Sequence, residues 1–226
     1  MKVRKLTTQL GYSAIAVIAA IGVWQSGARA QDGHSAAMSA QHQPSTPEDK
    51  ARTSALVDKV REATRQFQDP TVAIKAFYFP HFGCVSGSSE GAMGVHFVND
   101  SLVGDPDLDV MHPELLVYEP LPNGRLQLVA ADYLVTSEAW FGNNNTAPPE
   151  LAGQLFHLFE SPNRFGLPEF FTLHVWAWKD NPQGTFANWN PKVSCDAYDP
   201  DAPVLGTKAG QNAPVPALPT FMSEPR

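Results

Sequence analysis

Cys84 and Cys195 are the only cysteines in the 226 residues, and the compartment the chain enters decides what they do. Lys2, Arg4 and Lys5 form a basic start, residues 11–24 are largely apolar, and Ala28-Arg29-Ala30 then gives a small-x-small signature before Gln31. This is the pattern of a cleavable secretory leader over residues 1–30. Its apolar stretch of about 14 residues falls short of the roughly 20 that span a bilayer as a helix. No later run is long and apolar enough, so no membrane span is expected after cleavage. In the periplasm or outside the cell, an even pair of cysteines forms a disulfide. A Cys84–Cys195 bridge would close a loop of about 110 residues and stabilise the fold by about 4 kcal/mol in the chain-entropy model. A redox-active or metal-binding thiol pair is the alternative, but the C-x-x-C spacing that favours it is absent. No twin-arginine pair precedes the apolar stretch, so the chain is expected to cross unfolded and to acquire any cofactor outside. That favours a metal ion or small ligand over a nucleotide coenzyme.

Without the four basic residues of the leader (Lys2, Arg4, Lys5, Arg29), 12 basic residues face 23 acidic ones, a formal charge of −11. Such a balance disfavours nucleic acid as a partner. Residues 31–45 are rich in Gln, Ser, Ala and His without periodicity and read as a disordered arm. Residues 199–226 carry six prolines from Pro200 to Pro225 and read as an extended tail. One globular domain is left over residues 46–198.

That domain opens with a helix. Thr46 is a fit N-cap, Pro47 suits the first helical position, and Glu48 and Asp49 complement the helix dipole. Leu56, Val60, Ala63 and Phe67 make one apolar stripe. Asp69-Pro70 repeats the start signal for a short helix to about Lys75. Strand patterns follow at residues 93–99, 115–119, 126–135, 154–159 and 170–178, with Pro122-Asn123-Gly124 as a hairpin turn. Helices followed by hairpin-linked strands predict an α+β fold, the helices packed on a mainly antiparallel sheet.

Three histidines fall inside the predicted strands: His96, His157 and His174. Alternate strand residues share a face, so Thr172, His174, Trp176 and Trp178 are expected together, opposite a core side of Phe171, Leu173, Val175 and Ala177. His96 shares its face with Gly94, where the missing side chain admits a ligand or another backbone. Three imidazoles converging on a sheet suit Zn or Cu, with Glu119 or Glu138 as a further ligand or base, and Trp176 and Trp178 as pocket walls. Each histidine is equally readable as an ordinary hydrogen-bonded residue. His81 and His112 flank prolines and read as loop residues. The stretch from Cys84 to Ser89 reads as a serine-rich turn, and no G-x-S-x-G elbow, phosphate loop, dinucleotide fingerprint or calcium loop occurs. The turn-rich loop from Asn181 to Asn190 offers Phe186 and Trp189 for packing.

Several blocks carry a resemblance: Gly83-Cys84-Val85, residues 91–99, residues 113–120, Asn123-Gly124-Arg125-Leu126, and His174-Val175-Trp176-Ala177-Trp178 through Asn190-Pro191 to Cys195. In these the chain resembles a family of uncharacterised exported bacterial proteins over most of residues 55–196, which brings no activity with it. A fainter likeness over residues 115–135 is to the oil-body-associated proteins of plants and bacteria. The resemblance implies a polar residue, Glu among the choices, where Ala131 stands, which leaves Asp132 on the face away from any such site. Three readings remain: a small-ligand-binding domain with a divalent metal as candidate cofactor, a metal-assisted hydrolase or lyase using the same histidines, and an interaction module with no small-molecule site.

Overall fold

The computed structural model describes residues 46–201 apart from Ser88. The expected leader and arm, and all but the first three residues of the expected tail, lie outside the described residues. Helix α1 (Pro47–Thr64) starts as its sequence demands: the Thr46 side chain accepts from the Asp49 backbone N–H while the Asp49 side chain accepts from that of Thr46, a reciprocal capping box. A 3-10 turn (Arg65–Gln68) follows, then α2 (Pro70–Lys75), whose N-cap Asp69 accepts from Thr71 N–H. The stripe Leu56, Val60, Ala63 and Phe67 is buried.

The strands are β1 (Phe79–Ser86), β2 (Ala92–Val98), β3 (Leu115–Pro120), β4 (Leu126–Thr136), β5 (Glu150–Leu151), β6 (Gln154–Leu155), β7 (His157–Phe159) and β8 (Phe170–Val175), with short helices α3 (Asp100–Val103) and α4 (Ser137–Gly142) between them. Six strands form one sheet in the order β1-β2-β3-β4-β8-β7, and β5-β6 pair separately. Every pairing is antiparallel, so the fold is α+β. One sheet face packs on the helices: Leu56 and Val60 meet Tyr133, Leu173 and Val175, while Phe67 meets Phe97, Leu116 and Leu128. The loops around residues 160–169 and 181–195 cover the opposite face, which makes it a second buried layer. Trp189 packs there against Val85 and Met93, and Phe186 packs on the helix side.

Cys84 and Cys195 are bonded, with Cα atoms 5.7 Å apart across a separation of 111 residues. The bridge ties β1 to the end of the loop that follows β8.

Two expectations fail at β1. His81 stands in the strand, buried and opposite His96, and Cys84 to Ser86 continue it. Between His81 and Cys84 the register slips, and Phe82 and Gly83 take φ of 63° and 65°. This bulge breaks the period-2 pattern by which a strand is recognised. His112 does lie in an exposed turn, bonded to Asp109.

Gly94 resolves what its missing side chain admits. Its φ is +116°, and a Cβ there would stand 2.6 Å from the Tyr118 carbonyl oxygen on β3. A neighbouring backbone, not a ligand, occupies the space. Gly94→Ala is expected to destabilise the fold by about 2–3 kcal/mol, combining backbone strain with a steric clash. A urea midpoint unchanged from the parent would refute this.

Candidate metal centre

The loop-covered face carries the polar residues. His96 lies on β2, Asp132 on β4 and His174 on β8, where it pairs directly with Asp132. One donor atom of each of these three lies within 4.8 Å of the others, and all three residues are buried. Asp132 is the member that sequence reasoning placed on the wrong face. Leu126 and Leu128 face the helices, so simple alternation would put Asp132 there too. A bulge opposite Val117 and Tyr118 sets Leu128 against Tyr118 but Ala130 against Val117. The extra residue reverses the phase: Ala131 packs on the helix side and Asp132 turns toward His174. The signal that could have found it is the neighbouring pair Val129 and Ala130, both buried on the loop-covered side.

The geometry is close. His96 Nε2 and His174 Nε2 stand 3.4 Å apart, and His174 Nδ1 lies 3.6 Å from Asp132 Oδ1. Thr172 Oγ1 donates to the same Asp132 oxygen at 2.5 Å. Two donors about 2.0–2.1 Å from a tetrahedral zinc stand roughly 3.3–3.4 Å apart, so the imidazole pair has the spacing of two coordination corners.

Burial first of all, reinforced by the charge of His157, pushes the His174 pKa down to about 3 against the opposing effect of a hydrogen bond that its ring donates to Asn188. Burial likewise pushes His96 down to about 4, with His174 adding to the effect while Asp132 and the Gly94 backbone oppose it. Asp132 is raised to about 6 by burial, against the opposing charge of His96 and hydrogen bonds from Thr172, Leu173 and Tyr133. Both imidazoles are therefore neutral at pH 7 and able to present lone pairs.

Proton accounting then separates two states. Asp132 Oδ1 lies 3.6 Å from His174 Nδ1 and the Asn188 side chain is a second acceptor at the ring; with the hydrogen placed on Nδ1, Nε2 presents a lone pair to His96. In that tautomer and without a cation, the 3.4 Å contact is a hydrogen bond only when His96 Nε2 carries the hydrogen between the rings. Its Nδ1, which meets no partner in full hydrogen-bond geometry and has the Gly94 backbone nearby, then turns a lone pair into a buried site, a costly state. With a cation between the rings, both Nε2 lone pairs are used and both Nδ1 atoms are N–H donors, the usual arrangement for metal-bound histidine. Asn188 is placed to receive the His174 donor; its Oδ1 and His174 Nδ1 both fall short of full hydrogen-bond geometry.

The other expected site residues are dispersed. His157, half-buried on β7, pairs with Thr172 and so shares the site's face; it acts on His174 through charge but is not one of the three clustered donors. Trp176 stacks on His174, ring centroids 6.2 Å apart, and donates to the Ala187 carbonyl. Trp178 does not share that face. The strand ends at Val175, the Ala177 N–H turns back to the Val175 carbonyl, and Trp178 lands on the helix side with its indole N–H donating to Thr64 Oγ1 at 2.9 Å. Glu119 is paired with Lys179 and accepts from Ser194 N–H, while Glu138 is exposed in the first turn of α4. Neither carboxylate belongs to the clustered group.

Beside the three donors lies a small pocket of about 30 Å³, walled by Phe82, Met93, Leu134, Phe159, Phe165 and Phe170 among others. That is room for about two water molecules. Phe159 and Phe170 stack at 5.0 Å, and Phe82 and Phe165 meet edge to face at 5.5 Å. Asn163 holds the loop that brings Phe165 and Leu167 over the pocket: its side chain donates to the Glu160 and Leu167 carbonyls and accepts from Phe165 and Leu167 N–H. Set against family models, curated proteins and solved structures, the chain matches none of them.

Proposed function

We propose that this chain is an exported small-ligand-binding domain whose ligand is held by a divalent metal, zinc or copper, on His96 Nε2, His174 Nε2 and an Asp132 oxygen. One observation carries the reading: two neutral, buried imidazole nitrogens face each other at 3.4 Å, with a buried carboxylate beside them. Two imidazoles and a carboxylate suit these metals, and three protein ligands leave a position for the bound molecule. The adjoining apolar pocket gives that molecule its place. The leader pattern over residues 1–30 and the Cys84–Cys195 bridge support action in the periplasm or outside the cell. Among the described residues no helix is long and apolar enough to cross a membrane, in keeping with this setting.

The test is the metal content of residues 31–226, produced without a histidine tag in an oxidising compartment. About one zinc or copper per chain is expected, falling at least tenfold in His96→Ala and His174→Ala variants that keep the parent circular-dichroism spectrum. A folded parent that stays metal-free after incubation with both ions would sink the reading.

A further inference from the structure

Resting on this metal-site reading, we infer that the ligand is a short-chain organic monoanion, one carboxylate head on a hydrocarbon body, with the head on the metal's open position. Two features fix that class, and the first is charge. Coordination requires neutral imidazoles and an ionised carboxylate, so a divalent ion on His96, His174 and Asp132 leaves one net positive charge. Asp132 is the only acidic or basic residue apart from the two histidines on the pocket lining. A lone charge held away from water is costly, and one anionic donor completes neutrality. A dianion would reverse the imbalance, and a neutral donor would leave it.

The second feature is the wall. Apart from the three ligands, the only polar lining residue is Thr172, whose hydroxyl is already given to Asp132. A second polar group on the ligand would find no partner and would lose affinity for it. The hydrocarbon body meets Phe159, Phe165, Phe170 and Leu134 instead. The free volume of about 30 Å³ takes the head group, so a longer body has to push aside a rim residue. Phe82 is placed for that: it is 37% exposed and sits on the β1 bulge with φ of 63°, a strained conformation for a residue with a side chain.

The experiment loads the mature protein with Co(II), whose visible absorption reports its ligands, and titrates it with acetate, propionate and butyrate. Each added methylene should tighten binding roughly fourfold, the value for a buried methylene, with a saturable change in the cobalt bands. Succinate and butyramide, which keep the body but change the charge, should bind at least tenfold more weakly than butyrate. In Phe82→Gly, whose backbone conformation glycine adopts without strain, cobalt should remain bound and butyrate should bind at least as tightly as to the parent, because its body no longer has a ring to displace. Weaker butyrate binding with cobalt retained would overturn the role of Phe82 as the residue displaced. Failure of cobalt to bind would strike the metal site itself. Cobalt bound but unmoved by all three monocarboxylates, or moved equally by succinate or butyramide, would overturn the ligand class and leave the metal site standing.

Discussion

Replacing Cys84 and Cys195 together by serine should lower the free energy of unfolding by about 4–5 kcal/mol, the chain-entropy value for a loop of this size. The two residues are 111 positions apart, and the bridge removes from the unfolded chain every conformation that separates them. In the native state the bond joins β1, at one edge of the sheet, to the segment after Val193, which packs against Ala92 and Val117. Typical domains are stable by only 5–15 kcal/mol, so the variant should melt about 8–20 °C lower at 2–4 °C per kcal/mol. Thermal and urea unfolding of parent and variant measure it. A loss under about 1 kcal/mol would mean that the unfolded chain keeps the two ends together without the bond.

The second large effect concerns pH. Glu114 is 1% exposed, and its Oε2 accepts from Leu134 N–H at 3.1 Å. Burial pushes its pKa from 4.5 up to about 8; backbone hydrogen bonds oppose this, while Asp132 and Asp105 add to it. Between those two values the native state holds a proton that the unfolded chain has released, so stability falls as pH rises through the window. Asp132, raised to about 6, acts in the same sense between pH 3.8 and 6. His96 and His174 act oppositely: their lowered values mean that the unfolded chain binds the extra protons, so stability rises with pH up to 6.5 and not beyond. From pH 6.5 to 8 the Glu114 contribution stands alone among these four. The metal-free protein should lose about 2 kcal/mol over that interval, at 1.36 kcal/mol per pH unit. Glu114→Gln keeps an acceptor for Leu134 and has no proton to lose, so its stability should stay flat there. Equal slopes in parent and variant would show that the carboxyl ionises in the native state well below pH 8.

Local signals were legible wherever the chemistry was local. Thr46-Pro47 and Asp69-Pro70 start helices because a side-chain acceptor and a fixed φ act within one turn. Pro122-Asn123-Gly124 makes its hairpin because Gly124, with φ of 75°, suits the turn. Alternation through Phe171, Leu173 and Val175 gave the correct face for His174. What failed depended on phase. One extra residue near Val129 turned Asp132 toward the histidines, the slip at Phe82 and Gly83 disguised β1, and the turn at Ala177 sent Trp178 to the helix side. A period-2 reading is blind to such slips, because each inverts every residue after it. The two clustered histidines were therefore legible and the carboxylate that joins them was not.

The sheet order also has a temporal meaning. β8 lies between β4 and β7, although it comes last in sequence among the described strands. Until residue 175 has emerged, β4 offers a bare, largely apolar edge running through Ala131, Tyr133 and Val135. During synthesis, that edge is a hazard for sticking to other chains. The same final stretch delivers His174 and then Cys195. A chain cut short before it therefore lacks the closing strand, one member of the buried His96–Asp132–His174 cluster and the disulfide together, so incomplete copies are unable to imitate finished ones.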